Sequence, residues 1–139
     1  MRRDADVISI AEALRLLKEH SADNLGCGNP EKIVAAAEER LGIRFPDSYR
    51  RFLLEVGYAE VFGDEIFSIY DQPDDVPCLG VVQQNVKSPL LERGYLRFLS
   101  TDIDGTFLIK VSDGTVFLND DSTPVAESFE HLIEKLLTS

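Results

Sequence analysis

Carboxylates that crowd together in the sequence are the first candidates for chemistry. Asp102-Ile103-Asp104-Gly105 opens like a calcium loop, and Asp120-Asp121 supplies a second pair that could join it in a two-metal hydrolytic site. The calcium pattern then fails. Its fifth position is Thr106 and its twelfth is Asp113, where a bidentate glutamate is needed. Asp104-Gly105 fits a turn better. No histidine or lysine is spaced to support hydrolysis, and no serine or cysteine pairs with His20 or His131 as an activated nucleophile. Cys27, within Gly26-Cys27-Gly28, and Cys78, beside Pro77, belong to no metal-ligand spacing; a disulfide and a reactive Cys27 stay open beside the plainer reading of reduced, idle loop thiols. The residues therefore point to no catalytic centre, no cofactor and no metal.

A different carboxylate pattern carries more information. Formal net charge is −11, and it is unevenly spread. Residues 1–56 carry 10 acids and 9 bases, whereas residues 57–139 carry 15 acids and 5 bases. From Phe52 to Val86 there is no lysine or arginine, while Glu55, Glu60, Asp64, Glu65, Asp71, Asp74 and Asp75 fall there. Phosphate would be repelled, which excludes nucleic acid as a partner. Two readings of the window stay open: a solubilising surface, or a face that docks on a cationic protein. On the second reading the candidate face is Glu60, Asp64, Glu65, Asp71, Asp74 and Asp75, joined by Asp102 and Asp104 if the strands bring them alongside.

The elements that must position these groups are legible in part. Ser9-Ile10-Ala11-Glu12 fits a capping box, and Ile10, Leu14 and Leu17 continue it as a helix. Asn29 and Pro30 open a second helix with Ile33, Ala37 and Leu41 on one stripe, ended by Gly42. Pro46 and Asp47 open a third, with Tyr49, Phe52, Leu53 and Val56 on its apolar face and Gly57 as its stop. Strands follow at Val61-Phe62 and Ile66–Tyr70, with Gly63-Asp64 turning between them. Residues 79–93 are ambiguous. Tyr95–Ser100 reads as a strand. A two-residue Asp113-Gly114 turn then predicts a hairpin pairing Val111 with Val116 and Ile109 with Leu118. The last helix begins near Ser128. Its stripe of Phe129, Leu132, Ile133, Leu136 and Leu137 is expected to dock on the sheet. Helices segregated from antiparallel strands make an α+β fold. Tyr49, Phe52, Phe98 and Phe129 read as core.

At this point the sequence resembles a family. Leu41-Gly42-Ile43-Arg44-Phe45-Pro46-Asp47-Ser48-Tyr49-Arg50-Arg51-Phe52-Leu53 is similar to the leading signature of the SUKH superfamily. Asp102–Gly105, Phe107–Val111, Gly114–Phe117 and Val125–Phe129 resemble its later strands and closing helix. The likeness spans roughly the last hundred residues. Two features depart from the family pattern: Gly57-Tyr58-Ala59 after the third helix, and the lack of tryptophan. The resemblance implies a mostly antiparallel sheet with helices packed around it. It also implies a protein-binding role. Bacterial members are often immunity proteins that neutralise toxins, frequently nucleases or deaminases; other members are general protein-interaction modules, and one relative regulates yeast cell-wall synthesis.

These readings converge on one domain over residues 1–139, with a length and composition suited to an unaided core. Arg2 and Arg3 precede no apolar run, and no stretch is long enough to span a bilayer, so the expected location is the cytoplasm. The expected function is a non-enzymatic immunity protein that binds a basic toxin domain. The alternatives are a regulatory interaction domain without a toxin, and a metal-dependent hydrolase built on the Asp102/Asp104 and Asp120/Asp121 carboxylates.

Overall fold

The computed structural model describes residues 8–20, 28–61, 64–69, 80–101, 105–119 and 123–138. Ser9 starts helix α1 (Ile10–His20) as expected, its hydroxyl accepting from the Glu12 amide at 3.1 Å. The Glu12 carboxylate grips Arg15, which also reaches Glu19 at 2.7 Å. Helix α2 (Glu31–Leu41) corrects one expectation. Pro30, in extended conformation, occupies the cap position without a side-chain bond. Asn29 sends its side-chain amide to the Leu53 carbonyl at 2.9 Å, tying α2 to helix α3 (Asp47–Glu55). Gly57 stops the α3 turn, donating to the Phe52 carbonyl at 2.9 Å.

Among the described residues, five antiparallel strands lie in the sheet in sequential order. They are β1 (Ala59–Val61), β2 (Asp64–Ile66), β3 (Tyr95–Ser100), β4 (Thr106–Lys110) and β5 (Val116–Leu118). Asp64 is not in a turn, as expected, but in β2 as the partner of Val61. Strand pairing with β1 ends at Ile66, though Phe67 still donates to Phe98 and Ser68 forms a parallel bridge to Gly80. The ambiguous stretch contains two short helices, α4 (Val81–Asn85) and α5 (Pro89–Glu92).

The β4–β5 hairpin differs from expectation by two residues. Ile109 faces Val116 and Phe107 faces Leu118. The Val111 amide is drawn to the Gly94 carbonyl at 2.9 Å, so Val111 does not extend the pairing with β5. Residues 111–114 instead form a four-residue loop. Its base is the Lys110 amide bonded to the Thr115 carbonyl at 2.8 Å, with Gly114 at φ 81°. A slip of two keeps every side chain on its face, which is why the apolar pattern was blind to it.

Helix α6 (Phe129–Thr138) is capped reciprocally. The Ser128 hydroxyl accepts from the His131 amide, and His131 Nδ1 accepts from the Glu127 amide, both at 3.1 Å. Its stripe packs chiefly on α1 and α3, not chiefly on the sheet as expected. The apolar face of α1 also needs cover, and the two stripes satisfy each other. Phe129 makes the link to the sheet, its ring 5.8 Å from that of Phe98. Tyr49 is the hub of this core, with the rings of Phe45, Phe52, Phe98 and Phe129 all within 5.9 Å. Its hydroxyl donates to the Phe67 carbonyl at 3.1 Å, and burial pushes the phenol well above its ordinary pKa. Among the described residues, no helix is long and apolar enough to cross a membrane.

Candidate functional site

The expected acidic face can be followed through three of its members. Glu60 lies at the centre of β1 and Asp64 opens β2, both half-buried. Glu65 is the register partner of Glu60 on one side and of Ser100 on the other. Asp71, Asp74, Asp75, Asp102 and Asp104 lie outside the described residues, as do Asp120, Asp121, Cys27 and Cys78. The ends of the 102–104 connection are described. Thr101 and Gly105 are held together by a 2.8 Å backbone bond and by the Thr101 hydroxyl, immediately beyond the Ser100–Thr106 pair. Because Ser100 also pairs with Glu65, these ends share one edge of the sheet with Asp64 and Glu65. Among the described residues, no three His, Cys, Asp or Glu side chains gather as a metal-holding group.

The structure assembles a second feature that the sequence reading missed. The chain entering α3, the 111–114 loop and the start of α6 enclose a cleft of about 410 Å³. Its α3 wall is fixed by Glu38. That carboxylate accepts from the Phe45 amide at 2.8 Å and from Arg50 Nε at 3.1 Å, and Arg50 continues to Glu31 at 2.9 Å. Arg50 holds the Glu31 carboxyl below its usual range. The opposite wall is fixed by the hairpin loop, where the Thr115 amide donates to Asp113 Oδ1 at 2.9 Å. The Thr115 amide and hydroxyl, helped by Lys110, hold the Asp113 carboxyl below the ordinary aspartate value.

Glu130, in the first turn of α6, spans the cleft. The Ser48 hydroxyl donates to its Oε2 at 2.9 Å, joining residues 82 positions apart. Its other oxygen, Oε1, is buried and has no hydrogen-bond partner. Among the described lining residues, Asp47, Asp113 and Glu130 oppose a single base, Arg44. The only sequence signal for this cleft was an acid in the first turn of two helices and the Asp-Gly of the hairpin. Nothing local says that the three meet.

Sequentially ordered antiparallel strands, with helices before, between and after them, define an α+β domain whose described surface carries an acidic cleft. The chain belongs to the SMI1/KNR4 family (SUKH-1), which it matches over residues 28–135. That places it in general among protein-interaction and immunity-type modules. The match begins before α2, while α1 lies N-terminal to it and packs on α6 within it. No curated protein matches the chain.

Proposed function

We propose that this chain is an immunity protein that seats on a cationic toxin domain and blocks it, without catalysing a reaction itself. Membership of SUKH-1 carries the reading. Charge supports it: the 15 acids and 5 bases of residues 57–139 complement the cationic groove with which a nuclease or nucleic-acid deaminase holds phosphate. The proposed docking face is Glu60, Asp64, Glu65, Asp71, Asp74, Asp75, Asp102 and Asp104, and the proposed location is the cytoplasm. The edge shared by Asp64, Glu65 and the ends of the 102–104 connection supports the grouping.

The test has two parts. Affinity purification from the native cells identifies the bound protein, and that protein's toxic domain is then expressed in a sensitive host. Co-expression of this chain should restore growth. A stable partner with no toxic activity would move the chain to the regulatory reading. A toxin that is bound but carries no basic surface would remove the electrostatic account.

A further inference from the structure

We infer that the cleft between α3, the 111–114 loop and α6 receives an arginine side chain of the protein partner, with Glu130 as its acceptor. The inference rests on the proposed binding role and adds a second point of contact to it. A carboxylate accepts several hydrogen bonds, and Glu130 receives one in the described contacts, from Ser48 at 2.9 Å. Its Oε1 is buried without a donor. Glu130 as a residue is half-buried, but a carboxylate oxygen shielded from solvent without a donor is unfavourable unless something completes it.

The surroundings select the chemistry of what completes it. Asp47 and Asp113 add negative charge against the one cation, Arg44, so an anion is disfavoured and a cation favoured. A bare metal ion is a poor occupant, because the described acids do not converge as a ligand set. A guanidinium instead brings a planar fork of N–H groups that matches a carboxylate. Its aliphatic stem can lie along Pro46 and Val111 on the cleft walls. The volume of about 410 Å³ falls within the range of sites that take small groups.

The probe is N-acetyl-arginine amide, titrated into the labelled full chain and followed by amide NMR shifts. N-acetyl-citrulline amide, equal in shape but uncharged, is the control. Saturable shifts are expected at Ser48, at residues 112–114 and around Glu130, with none from the citrulline compound. Glu130→Gln keeps the size and should weaken the arginine probe at least tenfold. Asp113→Asn, at the rim, should weaken it by a smaller factor and keeps the question open if Glu130→Gln does not fold. Scattered or unsaturable shifts, equal binding of the two probes, or unchanged affinity in a folded Glu130→Gln overturns the proposal. The full partner separates the two claims. If the wild-type chain and Glu130→Gln bind the partner equally, the cleft fails and the binding role stands. If the arginine probe seats but no protein partner is bound, the site stands and the binding role fails.

Discussion

The side-chain amide of Asn85 pairs with the backbone of Arg97 as a neighbouring strand would. Asn85 Nδ2 donates to the Arg97 carbonyl and the Arg97 amide donates to Asn85 Oδ1, both at 2.8 Å. The pair sits at the irregularity of β3 between Arg97 and Leu99, just past the residues that pair with β2. A second bond from Nδ2 to the Val81 carbonyl at 2.7 Å anchors the amide to its own helix. Asn85 is fully buried, so its removal strands polar groups that water cannot readily reach. Asn85→Ala should cost about 3 kcal/mol, read from the denaturant midpoint. Asn85→Asp should cost at least as much at neutral pH, and recover part of it on acidification, because a protonated carboxyl regains a donor.

Gly28 makes a different kind of demand. A Cβ placed there would lie 2.0 Å from the Leu54 carbonyl oxygen, and the next residue, Asn29, bonds the Leu53 carbonyl through both its amides. The obstacle is backbone at the end of a packed helix, so no rotamer change relieves it. Gly28→Ala should destabilise by about 1–3 kcal/mol, toward the upper end, measured as a fall in melting temperature. Glu39→Ala, a substitution to the same residue at an exposed helical site, should be nearly neutral.

The helix boundaries were legible because their signals are local. Ser9, Gly42, Pro46, Gly57 and Ser128 act within one turn of themselves, and each falls where the structure starts or stops a helix. Asn29 and Val111 misled because distant groups, the carbonyls of Leu53 and Gly94, claim their amides. The α6 stripe was read correctly as apolar, but periodicity does not say which apolar surface covers it. The acidic window was visible as a run without bases. The Ser48–Glu130 contact was not, because it joins segments 82 positions apart with no shared local pattern.

Asp113 gives the fold a modest acid sensitivity. Its carboxyl titrates below the ordinary aspartate value because Thr115 donates to it. A depressed folded pKa means that the stabilisation is fully present above about pH 4 and is lost as pH falls through the lower, folded value. Asp113→Asn should flatten the acid limb of the stability curve below about pH 4 and lower stability slightly at neutral pH, since an amide oxygen is the weaker acceptor. Asp113 is exposed, so the effect should stay within about 1 kcal/mol, measured by urea unfolding across pH.

Charge neutralisation on the acidic window should act on encounter more than on folding. Replacing Asp64, Glu65, Asp71, Asp74 and Asp75 by Asn or Gln removes five of the seven acids that lie between Phe52 and Val86. If that surface steers a cationic partner, the association rate should fall roughly tenfold at low salt, the dissociation rate should change little, and the salt dependence should flatten. Loss of a close contact has the opposite signature, a faster dissociation with little change in salt dependence. Stopped-flow association at two ionic strengths reads both. An unchanged rate in the fivefold variant would rule out this window as the steering surface. A dissociation rate that rises only when Glu130 is also replaced would move the centre of recognition to the cleft between α3 and α6.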